Sequence, residues 1–323
     1  MMIAHDYADV NGVRLHYAAD GAGSGGKLIL FLHGFPEFWY AWKDQLAAFG
    51  QDYRAVAPDM RGYNLSSKPR EVSAYRVSRL VEDVRALAAR LAPGDSGGDG
   101  APDRFVLVGH DWGGAVAWAF ALAHPELLEK LVIVNAPHPA VFARELRQNP
   151  AQQRASRYML GFRAPEAERA LAADGYAALL KALTGWGEHR DFLTDEDRRA
   201  YVEAWSRPGA LTGGLNYYRA SRLGPPEEGD DPAATEAAGA TLDPAAMVVR
   251  VPTLVIWGER DRALLTGNLE GLDRFVPDLT IRRVPDASHW IVHEHPALVE
   301  SLIREFISRE SRVESRESRV ESR

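Results

Sequence analysis

The stretch from Phe105 to Ala115 constrains this chain more than any other. An apolar run, Phe105-Val106-Leu107-Val108, stops at Gly109, and a small-residue run that reads as a helix begins after Gly114. Between them stands Gly109-His110-Asp111-Trp112-Gly113, a Gly-X-Asp-X-Gly pentad with the spacing of a strand–turn–helix elbow and aspartate where serine is usual. Such a turn holds its central residue in strained backbone geometry, and glycines on either side let it close. The Asp111 side chain then stands free at the strand's end, and the Trp112 N–H points where an oxyanion could be held. Phosphate-loop readings fit poorly, because Gly109 and Gly113 satisfy neither G-x-G-x-x-G nor G-x-x-x-x-G-K.

The flanking sequence alternates strands and helices. Val13–Ala18 alternates like an edge strand. Lys27–Leu32 is a continuous apolar run of the kind buried on both faces of a parallel sheet, and it ends in His33-Gly34-Phe35-Pro36-Glu37. A helical stretch carries Trp39, Trp42 and Leu46. A short strand covers Arg54–Ala57, and a helix runs from Val77 to Leu91 with Leu80, Val84, Leu87 and Leu91 on one face. Asp20–Gly26 and Pro93–Pro102 read as Gly-rich connections. After the elbow, Lys130–Asn135 is the next buried strand. The alternation then breaks at Asn135-Ala136-Pro137-His138-Pro139, and residues 140–223 read as helical. Gly224–Ala240 reads as a loop, strands return at Val251–Trp257 and Thr280–Val284, and a last helix covers Pro296–Ser308. The expectation is an α/β fold with a mostly parallel central sheet flanked by helices. It is divided into a core (1–137 and 247–308), an inserted helical cap (138–246) and a low-complexity tail (309–323) that doubles Glu-Ser-Arg-Val-Glu-Ser-Arg.

Composition narrows the chemistry. A net charge of −7 over 323 residues gives no general attraction to nucleic acid, and no apolar run approaches the ~20 residues of a membrane span. The absence of cysteine removes thiol nucleophiles, disulfides and Cys-based metal sites. No signal peptide is read at the N-terminus, and a cytoplasmic location is expected. A monomer or a homodimer is equally compatible with this composition.

In parallel α/β sheets, ligands gather at the carboxyl ends of strands. Three reactive residues fall there: Asp111 at the elbow, Asp261 after Trp257, and His289 after Val284. Their order, nucleophile then acid then histidine, is that of the α/β-hydrolase triad. Glu259 competes for the acid's place, with Asp286 behind it. Phe35, following an inner strand, would supply the second oxyanion donor beside Trp112, because Pro36 has no N–H to give. His33 reads as a packing and hydrogen-bonding residue.

With His-Gly-Phe-Pro-Glu, Gly-His-Asp-Trp-Gly-Gly and the lid segment Leu215-Asn216-Tyr217-Tyr218-Arg219 in hand, the chain over residues 10–307 resembles the soluble-type epoxide hydrolases of the α/β-hydrolase superfamily. The resemblance implies that Tyr218, before the arginine, donates to an epoxide oxygen. It implies that Tyr158, seven residues before Pro165, does the same, although Gly161 and Arg163 thin the aromatic run expected there. Tyr217 reads as a packing residue. The implied chemistry is attack of Asp111 on a small-molecule epoxide, then hydrolysis of the ester by water that His289 and Asp261 activate. No metal or organic cofactor is implied. Pro36, Trp39, Met159, Phe162 and Trp290 are expected to line an apolar substrate pocket. A dehalogenase could use the same aspartate. Fluoroacetate dehalogenases carry arginine after it, where this chain has Trp112, and haloalkane dehalogenases lack the Asn-X-Tyr-Arg pair. A serine esterase lacks its serine here, and a non-catalytic binding relative would usually have lost a triad member.

Overall fold

A computed structural model describes residues 3–21, 26–91, 104–185, 192–226 and 243–309. These residues form one eight-stranded sheet in the order β1-β2-β4-β3-β5-β6-β7-β8. The strands are β1 (Ala4–Val10), β2 (Val13–Asp20), β3 (Leu28–Leu32), β4 (Arg54–Pro58), β5 (Phe105–His110), β6 (Leu128–Val134), β7 (Thr253–Gly258) and β8 (Leu279–Val284). β1 and β2 pair antiparallel, as do β2 and β4. Every pairing from β4 through β3, β5, β6 and β7 to β8 is parallel.

The period-two geometry of a strand sends alternate residues of each apolar run to opposite faces. Leu30, Leu32, Leu107, Leu131, Ile133 and Val255 join one core cluster. Ile29, Phe31, Val106, Val108, Val132 and Val134 join the other. The first face is covered by α2 (Val77–Leu91) and α3 (Trp112–Ala123), through residues such as Leu80, Leu87, Val116 and Phe120. The second is covered by α1 (Lys43–Phe49) and by the last long helix (Pro296–Ile307), through Leu46, Phe49, Val299 and Ile303. Each fully buried Leu, Ile, Val or Phe contributes about 1.5–3 kcal/mol, so continuous apolar strands stabilise both faces.

One expectation is corrected. Val13–Ala18 is not an edge strand: β2 lies inside the sheet, with β1 as the edge beyond it. The solvent-facing positions of β1 are polar, including His5, Asp6 and Asp9, which is why its apolar signal is weak.

Between β6 and β7, which are neighbours in the sheet, the described residues form helices and no strand: α4 (Pro139–Gln148), α5 (Pro150–Ala155), α6 (Tyr158–Arg163), α7 (Ala167–Gly185), α8 (Asp195–Ser206) and α9 (Ala210–Ser221), then a short 3-10 turn (Pro244–Met247). α8 begins with a capping box between Thr194 and Asp197. Several polar bonds join this segment to the sheet side of the molecule. Tyr217 Oη donates to the Arg61 carbonyl at 2.8 Å, Arg207 Nε to Asn64 Oδ1 at 2.8 Å, and Lys43 pairs with Asp197. Among the described residues, no helix is long and apolar enough to cross a membrane. Pro93–Pro102, most of Gly224–Ala240 and the tail repeat lie outside the described residues.

Candidate active site

Asp111 occupies the turn between β5 and α3 with φ 49° and ψ −120°, a left-handed backbone that costs a non-glycine residue about 1–3 kcal/mol. Close packing holds it there. A methyl group at Gly113 would fall 2.2 Å from the Leu32 carbonyl oxygen, and one at Gly34 would fall 2.3 Å from Asp111 Cβ. Glycine at both positions lets β3, the Gly34 loop and the elbow close on one another.

The carboxylate has a defined donor on one oxygen and a defined histidine near the other. The Phe35 N–H donates to Asp111 Oδ1 at 2.8 Å, while His289 Nε2 lies 3.6 Å from Oδ2. On its other side, His289 Nδ1 is 2.7 Å from Asp261 Oδ2. Of the three carboxylates considered for the acid, only Asp261 stands at the imidazole. Glu259 pairs with Arg283, and Asp286 is exposed. His33 is a buried packing residue whose Nε2 accepts the Met60 N–H at 3.0 Å.

Asp261 is held on all sides. Its Oδ1 accepts the Ala263 and Leu264 N–H groups at 2.8 and 2.9 Å, and its Oδ2 accepts Asn135 Nδ2 at 2.8 Å as well as the histidine. Asn135 sits just past β6 with φ 40°, fully buried, and its Oδ1 accepts the Gly258 N–H at 2.8 Å. A second buried network lies behind the histidine. His110 bonds Glu37 Oε2 through Nδ1 at 3.0 Å and the His289 carbonyl through Nε2 at 2.9 Å, and His293 Nε2 reaches Glu37 Oε1 at 2.5 Å. Sequence reasoning assigned no role to Asn135, His110 or Glu37. For Asn135 a signal existed: an asparagine directly after a buried strand suits a left-handed stop.

Burial alone would push the Asp111 carboxyl up, but His289, His110 and the Phe35 N–H outweigh it and hold the carboxyl below the usual range. Burial likewise opposes a charged His289. The Asp261 and Asp111 carboxylates overcome that penalty and hold the imidazole well above its usual value. Across the 3.6 Å between them, each group thus favours the charged form of the other.

Opposite Asp111 stand two phenols from different helices, Tyr158 opening α6 and Tyr218 near the end of α9. Their rings are 6.3 Å apart and steeply inclined at 77°. Burial raises both well above the usual phenol value of ~10, with the nearby Asp111 carboxylate adding to the effect. Both hydroxyls are neutral donors at any ordinary pH. Tyr217, by contrast, is turned away and tied to Arg61.

Asp111, Trp112, Tyr158 and Tyr218 share one cavity of about 200 Å³. Of the residues expected to line it, Met159 does. Phe162 packs behind the phenols, with ring centroids 5.3 Å from Tyr158 and 5.1 Å from Tyr218. Trp290 is buried against His289 and donates its Nε1–H to the Ala182 carbonyl at 3.0 Å. Trp39 packs on His5, Phe38 and Tyr40, and the Pro36 carbonyl accepts the Trp205 indole N–H. Their places on the wall are taken by residues such as Val77, Ala115, Ala119, Phe142, Leu223 and Leu264.

Residues 27–296 match the family model described as alpha/beta hydrolase fold. An AB hydrolase superfamily protein of Bacillus subtilis is 39% identical over 306 residues, covering 94% of this chain and 98% of that protein. Epoxide hydrolase 4 of Mus musculus is 36% identical over 311 residues, covering 94% of this chain and 78% of that protein. A crystal structure of a mutant epoxide hydrolase from Bacillus megaterium, complexed with a naphthyloxy-propane-1,2-diol product, matches with a TM-score of 0.79 at 35% identity. It covers 94% of this chain and 100% of that one. The sheet, the strained elbow and these likenesses along its length agree: the chain belongs to the α/β-hydrolase fold family, and its relatives include epoxide hydrolases.

Proposed function

We propose that this chain is an epoxide hydrolase that opens a small-molecule epoxide to a vicinal diol through a covalent ester on Asp111. The observation that carries the reading is the shared cavity: one carboxylate and two neutral phenols face the same apolar space. An epoxide needs both partners at once, a nucleophile at carbon and a proton donor at oxygen. The naming of relatives as epoxide hydrolases supports the same reaction. The helices between β6 and β7 act as a cap, because they bring Tyr158 and Tyr218 over the sheet's carboxyl edge.

In the first half-reaction, Asp111 Oδ2 attacks an epoxide carbon, the C–O bond breaks, and a phenol proton passes to the departing oxygen. The product is a hydroxyalkyl ester. Its formation removes the Asp111 charge, one of the influences that hold His289 protonated. The imidazole thereby becomes easier to deprotonate at the step that needs a base. In the second half-reaction, His289 first gives up its Nε2 proton, which by way of solvent restores the phenol, and Nε2 then takes a proton from water as the water attacks Asp111 Cγ, with Asp261 bearing on Nδ1. Charge then collects on Oδ1, where the Phe35 N–H already points, with the Trp112 N–H as the second donor. Losing one such donor costs about 10²–10³ in rate. Collapse of the intermediate breaks the bond from Asp111 Cγ to the diol oxygen, which takes up the proton held on His289, and the acid proton left on Asp111 passes to the imidazole, so that diol is released and the carboxylate is regenerated.

The test is a single turnover of styrene oxide by excess enzyme in ¹⁸O-labelled water. Diol that is unlabelled in the first turnover is the expected result, since its new oxygen comes from Asp111. Fully labelled diol would remove the covalent step, and halide release from chloroalkanes without any diol would replace the reaction altogether. In His289→Gln, the enzyme's mass should rise by that of one substrate and stay there.

A further inference from the structure

The proposed chemistry draws on groups from separate elements: Tyr158 opens α6, whereas Asp261 sits in the turn after β7. One side chain touches the supports of both. Gln152 of α5 is fully buried, and all four hydrogen-bonding positions of its amide are used. Its Nε2 donates to Ser156 Oγ at 2.8 Å and to the Ala263 carbonyl at 2.7 Å. Its Oε1 accepts the Leu265 N–H at 2.9 Å and Asn268 Nδ2 at 2.8 Å. A backbone carbonyl on one side and a backbone N–H on the other fix this orientation of the amide.

Each partner leads to a reacting group. On the turn side, the Ala263 and Leu264 N–H groups hold Asp261 Oδ1, while the Ala263 carbonyl and the Leu265 N–H are held by Gln152. The turn is thus gripped from inside by Asp261 and from outside by Gln152. On the helix side, Ser156 lies one turn along from Gln152, and its carbonyl accepts the Met159 N–H at 3.1 Å where α6 begins beside Tyr158. Gln152, Ser156 and Asn268 stand outside the cavity wall, to which Tyr158, Met159 and Leu264 belong.

We propose that Gln152 is a positioning residue that sets Tyr158 against the Asp261 turn, so that the proton donor and the triad acid keep one register across the cavity. The inference rests on the epoxide reading for what each group does, whereas the linkage itself is geometric. Reacting groups have to be held within about 0.5 Å of their productive places. A buried polar group deprived of its partner shifts such an equilibrium about tenfold.

Three variants divide the linkage. Gln152→Met keeps the side chain's length without its bonds, Ser156→Ala cuts the α6 arm, and Asn268→Ala cuts the turn arm. Rapid-quench measurement with styrene oxide, scaled to the folded fraction, reads ester formation and ester hydrolysis separately. Gln152→Met should slow both about tenfold, Ser156→Ala ester formation alone, and Asn268→Ala hydrolysis alone. Combining Gln152→Met with Ser156→Ala should slow ester formation no further than Gln152→Met does, because the same arm is cut twice. A second reading is the His289 titration followed by ¹⁵N NMR. Asp111, Asp261 and His110 surround the imidazole and are unchanged in every variant. Asp261 helps to hold the imidazole above its usual value, so loosening its turn should lower the midpoint in Gln152→Met and Asn268→Ala but not in Ser156→Ala. Lower melting temperatures with unchanged rates and an unmoved titration would make Gln152 a packing residue and overturn the proposal. Equal slowing of both steps by each alanine variant would overturn it too. If Gln152→Met fails to fold, the two alanine variants decide. Absence of any ester on the wild type would remove the epoxide reading instead, and the titration would then judge the linkage alone.

Discussion

Asn135 shows what a single residue can do outside the reacting atoms. Its amide joins the end of β6 to the Gly258 N–H at the end of β7 and to the Asp261 carboxylate, which in turn meets His289. A hydrogen bond to a charged group contributes about 1.5–3 kcal/mol, or about 10- to 100-fold in a step that depends on it. On the proposed mechanism that step is ester hydrolysis, where His289 acts as base. Asn135→Ala should therefore slow hydrolysis of the ester by that factor while changing ester formation only a few-fold. Stopped-flow fluorescence would then show ester accumulating before steady state. Equal losses in both half-reactions would make Asn135 a folding residue only. At this scale the sequence was informative wherever chemistry is local: Asp111, Asp261 and His289 each follow a strand within a few residues, and the structure brings all three together. The cavity wall was less legible. Ala115 and Ala119 look like ordinary helix formers until α2, α4 and the chain after α9 are placed around them, whereas Trp39 and Trp290 look like pocket residues and are engaged elsewhere.

Elements carry the next level of constraint, and α9 is the clearest case. It meets the core at Gly213, where a methyl group would fall 2.2 Å from the Gly62 carbonyl oxygen, so two backbones touch with no side chain between them. The same helix carries Tyr217, bonded to Arg61, and Tyr218 in the cavity. Gly213→Ala must lift α9 or strain it, a change that typically costs 1–3 kcal/mol. On the proposed mechanism, the expected outcome is a lower melting temperature together with slower ester formation, because Tyr218 would withdraw from the epoxide oxygen. Hydrolysis of preformed ester, which on that mechanism uses His289 and Asp261 on the sheet side, should be much less affected. Rapid-quench measurement of the two half-reactions separates these cases, and equal slowing of both would contradict a local role for α9. Helices and parallel strands were readable in the sequence because their burial is periodic or continuous. α2 covers Val77–Leu91 in both the pattern and the structure. β1 was not readable, since an edge strand with water on one side presents His5, Asp6 and Asp9 in place of an apolar run.

At the scale of the whole molecule, the sheet order sets β5, β6 and β7 side by side, and Asp111, Asn135 and Asp261 follow their carboxyl ends. Four distant parts of the sequence, with His289 after β8, thus share one buried polar group, and the stability of the fold is linked to the protonation of its charged members, Asp111, Asp261 and His289. Asp111 has its carboxyl held below the usual value, so its contribution is present above about pH 3.9 and is lost as pH falls through the folded-state value. His289 is held above its usual value, so its contribution is present below about pH 6.5 and is lost as pH rises through the folded-state value. Asp111→Asn removes the first contribution and weakens the second, because one of the two carboxylates that hold the imidazolium is gone. The difference in melting temperature between wild type and Asp111→Asn should therefore be greatest between about pH 4 and pH 6.5. It should shrink on the acid side as Asp111 takes up its proton. On the alkaline side it should shrink as the wild-type His289 loses its own. Thermal melts of the two proteins across pH 3–10 measure this directly, with effects of all unchanged groups cancelling in the difference. A difference that stays constant with pH would mean that Asp111 and His289 are not coupled in the folded chain, and the charge arrangement proposed for the resting site would have to be abandoned.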